Sequence, residues 1–250
     1  MTPKQVDMTN AEAVLREIFD EDLQVKDRFA AHLGAELLSL SEALAACFAP
    51  LPAINEAANR VGSVRTALAA AFVFGVLDDV LTSTKLLVTG KLLASGNLMR
   101  QVVEGIAIAA LCSTDELLII ELKRGGPVTA RYWEKLEAGD SRTQGYLALG
   151  QLSLNAAKLG FNADAVKLLT AAKRHYNGFS HAGTFSIAAR VALHEPGTAF
   201  VGGHFDEAKF DGYRAELRER IGLCRVLPAF MRRMLASLTP NPRATPAVPA

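Results

Sequence analysis

The sequence is poor in cysteine, and the three it has, Cys47, Cys112 and Cys224, are odd in number and far apart along the chain. No Cys-x-x-Cys pair exists, so neither a disulfide framework nor a zinc knuckle is indicated, and the thiols read as buried groups in a reducing cytoplasm. Excess charge of either sign is also missing. Lys and Arg number 27 against 26 Asp and Glu, a formal net charge of +1. That supplies no bulk attraction to nucleic acid or to anionic membranes, so any such binding must come from a local patch. A long apolar run is absent as well. The most apolar stretch, TALAAAFVFGVL at 66–77, is closed by Arg65 on one side and Asp78-Asp79 on the other. It falls well short of the about 20 residues a spanning helix needs, and like the shorter run at 105–112 it reads as buried core helix. The N-terminus, MTPKQVDMTNAEAVLREIFDED, lacks a signal-peptide apolar region, and the expectation is a cytoplasmic protein with no membrane partner.

Half the residues are hydrophobic and a fifth are charged, the ordinary balance of a globular chain. The apolar positions recur at the helical period. Thr9-Asn10 caps a first helix from Ala11. Phe29, Leu33, Leu37, Leu40 and Leu44 mark a second over 23–48, which Pro50 and Pro52 stop. An alanine-rich helix follows over 54–88, capped at Thr89-Gly90, then another over 91–111 in which Gly96-Asn97 marks a break or a close helix contact. These two, apolar nearly all round, are expected at the centre of the core. Arg124-Gly125-Gly126-Pro127 is a turn, with Pro127 opening a helix that carries Tyr132 and Trp133. Further helices are expected from Asp140-Ser141 to Leu159, from Asn162 to about Gly183, and from Asp206 to about Leu238, the last with Val226 among its apolar residues. Between the last two, His194-Glu195-Pro196-Gly197 predicts a short β-hairpin or extended excursion near 185–204. The fold class is therefore all-α: a multi-helix bundle in one domain over 1–238, with a disordered Pro-rich tail at 239–250.

Chemistry-bearing residues concentrate in AKRHYNGFSHAG, 172–183. Arg174 and His181 are almost two turns apart, so on a continuous helix they face the same way, roughly 10 Å apart along the axis. Asn177 and Gly178 lie between them. Gly178 costs about 1 kcal/mol in a helix interior, which asks for a reason such as close approach of another chain or a ligand. Arg100 and Glu104, at i,i+4, form an ion pair on one helix face. His194, His204 and Asp206 are metal-ligating types without the spacing of a known metal site. Arg218, Arg225 and Arg232 recur every seven residues with Arg214 nearby. With Glu216 and Glu219 interleaved, this stripe reads first as a solvated helix face and second as a track for a phosphate backbone.

An Arg, a polar residue and then a His four to six positions on is the motif of HEPN-superfamily helical proteins, and Arg174, His175 and His181 resemble it at the longest permitted spacing. The helix carrying Arg100 and Glu104, followed by Tyr176 and Ser180-His181, also resembles bacterial helical proteins of unknown function. The resemblance implies metal-independent RNA cleavage, of toxin or defence type, with a site shared across a homodimer and no cofactor. His181 would then be a general acid or base and Arg174 the stabiliser of phosphate charge, with His175 in support. Arg100, Glu104, Tyr176, Asn177 and Ser180 are candidate binding residues beside them. The alternative is a non-catalytic binding or interaction module in which Arg174 and His181 face inward, pair with Glu104 or with backbone carbonyls, and are structural or line a ligand pocket.

Overall fold

The computed structural model describes residues 8–193 and 197–239. The helices are α1 (Ala11–Ile18), α2 (Leu23–Phe48), α3 (Leu51–Val61), α4 (Val64–Val88), α5 (Leu92–Leu111), α6 (Tyr132–Glu137), α7 (Gly145–Asn155), α8 (Ala163–Ser180), α9 (Thr184–Ala188) and α10 (Phe210–Leu238). The strands β1 (Leu117–Lys123) and β2 (Gly126–Arg131) form one antiparallel hairpin. The protein is thus an all-α bundle with a small two-stranded sheet.

Helix boundaries follow local chemistry. The Asn10 side chain accepts from the backbone of Glu12 and Ala13, capping α1. α2 is kinked at Leu33, whose φ of −129° leaves the helical range. The helix expected over 54–88 is in fact two. Gly62 sits in the left-handed region, and Ser63 and Thr66 exchange capping hydrogen bonds that start α4 afresh. Pro52 lies in the first turn of α3, where its missing N–H costs nothing.

α4 and α5 pack along their lengths at the centre of a contiguous apolar core. Gly105 of α5 lets Val76 of α4 approach closely. α10 lies across α2, α3 and α4, while α7 and α8 cover α5. Gly90, with φ of 74°, sits against the backbone of His204, where a Cβ would come within 2.1 Å. This contact seats the 185–204 segment on the end of α4. By length and composition alone, one window within Ala11–Val61 is apolar enough to cross a membrane; in the fold that stretch is divided among α1, α2 and α3.

The regular hairpin lies at 117–131, where the sequence reading placed a helix starting at Pro127. Pro127 instead stands opposite Leu122, on a two-stranded ribbon that tolerates a missing N–H. Leu118 and Ile120 are buried, and α7 satisfies the outer edge of β1. Asn155 both accepts from Ile119 N–H at 2.9 Å and donates to its carbonyl at 2.8 Å, and Gln151 donates to the Ile120 carbonyl at 2.7 Å. The 185–204 segment combines the short α9 with an extended excursion closed by a single bridge between Val191 and Ala199. Its turn residues 194–196, and the tail from 240, lie outside the described residues.

Candidate functional site

α8 begins at Asn162, whose side chain accepts from Asp164 N–H at 2.7 Å. It docks on α5 and α7 by a face on which Val166, Tyr176 and Phe179 are buried. This orientation decides where the chemistry-bearing residues go. Arg174 lies on the side of the helix away from that buried face and is exposed. The helix ends at Ser180, so His181 is the extended C-cap residue rather than part of a continuous helical strip. It too is exposed. Among the described residues neither has a hydrogen-bond or ion-pair partner. Nothing lies within 4 Å of the point where a Gly178 Cβ would stand.

The inward-facing residues of α8 make three separate polar contacts. Lys173, rather than Arg174, reaches Glu104, at 3.8 Å, and donates to the Tyr146 carbonyl at 2.5 Å. Glu104 is buried, lies against Gly145 at the start of α7, and is 3.7 Å from Arg100 Nε. Ser180 donates to the Asn97 side chain at 2.9 Å, tying the end of α8 to α5. Asn177 is half-buried between these levels.

The third contact reaches furthest into the core. His175 Nε2 lies 2.8 Å from Glu216 Oε1, and Glu216 Oε2 accepts from Arg220 Nη1 at 2.8 Å. Arg220 is 0% exposed, the largest fully buried side chain. Three more of its five N–H groups go to Ser83 Oγ at 3.2 Å, Ser95 Oγ at 2.7 Å and the Glu216 carbonyl at 2.8 Å. Ser95 in turn donates to the Ser83 carbonyl at 2.7 Å, so α4, α5, α8 and α10 share one network. The Tyr176 hydroxyl is buried beside Glu216 and Arg220 without a hydrogen bond of good geometry.

The electrostatics follow from these contacts. The hydrogen bond to Glu216 holds the His175 imidazole protonated to higher pH than usual, against the cost of partial burial. Burial pushes the Glu216 carboxyl up, but His175 and Arg220 together more than offset it and leave it below the usual range. Burial pushes the Tyr176 phenol well up, so it stays neutral. The result is a half-exposed imidazole that keeps its proton to higher pH than usual, fixed in orientation by a buried carboxylate that is itself locked by a buried guanidinium. Such a His is positioned to hold an anion or to hand on a proton.

Sequence reasoning missed Glu216, Arg220, Ser83 and Ser95. A signal was available in the spacing of α10. Tyr213, Leu217, Arg220, Cys224, Leu227, Met231 and Met234 step by fours and threes along one buried seam. Arg220 therefore occupies a core position, with Glu216 one turn before it. Val226, one of the apolar residues by which the sequence marks this helix, lies off that seam and is 62% exposed.

Elsewhere, His204 accepts from Lys209 Nζ at 3.0 Å, and Lys209 also donates to the Val191 carbonyl at 2.7 Å. These two residues and Asp206 clamp the 185–204 excursion onto the start of α10. Among the described residues no group of three His, Cys, Asp or Glu could hold a metal ion. A cleft of about 700 Å³ lies between Arg65, Asp115 and the C-terminal end of α10, and a smaller one beside Phe74; neither reaches α8. Comparison with protein-family models, with curated proteins and with solved structures found no match.

Proposed function

We propose that this chain is a cytoplasmic, HEPN-like endoribonuclease that cleaves RNA without a metal ion, with Arg174 and His181 as its phosphate-binding and proton-transfer groups. The observation that supports this reading is the exposure of both groups, Arg174 on the outer side of α8 and His181 at its C-terminal end, neither with an internal partner among the described residues. A guanidinium that spends no charge on the protein is available to a phosphodiester, and an imidazole without an internal partner is free to meet a substrate oxygen. A second copy of the chain, bringing its own α8, would complete a site between the two.

A second reading, a non-catalytic binding module, draws on a different observation. The contacts of Lys173 with Glu104, of Ser180 with Asn97 and of His175 with Glu216 and Arg220 are internal, and they fasten α8 to the bundle as structural polar clusters do. Cleavage of labelled single-stranded RNA by purified protein in excess EDTA separates the two. Activity that disappears in a folded His181→Ala variant supports the nuclease. Absence of cleavage in the wild type across varied RNA sequences removes the nuclease and leaves the module.

A further inference from the structure

The basic stripe of α10 changes meaning once its side chains are placed. Of the two interleaved acids, Glu216 points inward and is consumed by Arg220 and His175, so it does not face solvent with the arginines. Arg218, Arg225 and Arg232 are all exposed. Arg218 and Arg232 have no partner among the described residues, and Arg225 makes one contact, with Ser39 Oγ at 3.3 Å. Arg214 is engaged by Glu36 at 3.0 Å, and Arg233 stacks on Phe161 and donates to the Leu159 carbonyl. The carboxylates that remain exposed on this helix are Glu219, beside the stripe, and Asp211, which stands seven residues before Arg218 at the N-terminal end of the line.

Seven residues advance a helix by about 10.5 Å and almost two turns, so the three guanidiniums form a straight line about 21 Å long. Gly222 and Ala229 stand between them along this face, with Ala215 and Ala236 beyond its two ends, all exposed. The ridge thus alternates free cations with positions where almost no side chain stands between a ligand and the helix. A near-neutral chain carries here a concentrated line of positive charge, which fits a partner with negative charges repeated along its length.

We propose that the outer face of α10 is a track for the phosphate backbone of single-stranded RNA, with Arg218, Arg225 and Arg232 as its contacts. This rests on the reading of the protein as RNA-acting, and it assigns binding to a helix that carries neither Arg174 nor His181. Ionic contacts to a single strand release counterions, and each contributes about 0.7 to the slope of log affinity against log salt.

The test is fluorescence anisotropy of a labelled single-stranded RNA in EDTA, at several salt concentrations, with the His181→Ala protein so that the RNA stays intact. Adding Arg218→Gln, Arg225→Gln and Arg232→Gln together should lower affinity at least tenfold and reduce the salt slope by about 2. Glu219→Gln should tighten binding, and the three arginines replaced by Lys should keep most of it. Unchanged affinity and slope in the triple Gln variant would overturn the track. So would arginine-dependent binding to phosphatidylserine vesicles or to polyglutamate without binding to RNA. RNA binding through these arginines in a wild-type protein that never cleaves would keep the track and discard the nuclease.

Discussion

The Cys47 thiol lies 3.0 Å from the Cys224 carbonyl, which is the carbonyl that Pro228 leaves without a donor in α10. A proline in a helix interior removes the N–H that would serve the residue four places earlier. Here the vacant acceptor is met from α2, across the contact between the two helices. Both thiols are fully buried, so no water can take the place of Cys47.

Cys47→Ala should therefore destabilise the fold by about 1–3 kcal/mol, the cost of a buried acceptor left unpaired. In a Pro228→Ala background, the restored N–H serves Cys224 and the same substitution should cost less. Urea denaturation of the four proteins in this cycle measures the coupling. Strictly additive effects would show that the thiol does not serve that carbonyl.

A second prediction concerns Arg220. Removing it by Arg220→Ala leaves the Glu216 carboxylate buried with only His175, at a cost of about 3–5 kcal/mol. Replacing both, Glu216→Gln with Arg220→Met, removes the charges together and should restore most of that loss. A double variant as unstable as the single one would mean that the guanidinium stabilises through packing alone.

How much of this was legible beforehand depended on whether a pattern was local. α2 was readable to its ends because Leu33, Leu37, Leu40 and Leu44 keep one period and prolines follow. The α3–α4 break was missed because Gly62-Ser63 lies within a stretch whose alanines favour helix on both sides. The hairpin at 117–131 was missed because Pro127 fits a helix start as well as an edge strand, and only Asn155 and Gln151, far along the chain, decide for the strand. In the candidate site the segment 172–183 was found from residue types alone. Which of its residues turn inward was not, because that is set by Glu216 and Arg220 about 40 positions later. The expected role of Arg174 toward Glu104 passes to Lys173 for the same reason: the register of α8 on α5 is a tertiary fact.

The two described histidines whose rings are hydrogen-bonded to other side chains, His175 and His204, should titrate with opposite effects on stability. His175 is held protonated above its usual range by Glu216, so its contribution is fully present below about pH 6.5 and is lost as pH rises through the raised value. For His204, burial, reinforced by Lys209, pushes the imidazole down to about 4. The unfolded chain then takes a proton that the folded one refuses, so stability falls as pH drops from about 6.5 towards 4. Urea midpoints measured from pH 4.5 to 8.5 should lose the acid-side decline in His204→Gln and the alkaline-side decline in His175→Gln. Unaltered profiles would assign the pH dependence to other groups.

Two helical glycines that face different surroundings should respond in opposite directions to alanine. A Cβ at Gly96 would stand 2.0 Å from the Phe179 ring, which is buried between α8 and its neighbours. Gly96→Ala gains up to about 1 kcal/mol of helix propensity, but must displace that ring at a cost of about 1–3 kcal/mol, and net destabilisation is expected. It should also loosen the end of α8, where Ser180 meets Asn97. At Gly178 nothing opposes a methyl group, so Gly178→Ala should stabilise the protein by up to about 1 kcal/mol. Thermal unfolding of both variants checks the pair of signs. The second substitution also bears on function, because Gly178 lies on the open side of α8 between Arg174 and His181. If RNA cleavage or binding falls in a more stable Gly178→Ala protein, the glycine is there to admit a ligand or a second subunit to the helix backbone. If activity is unchanged while stability rises, close approach at this position has no part in the function.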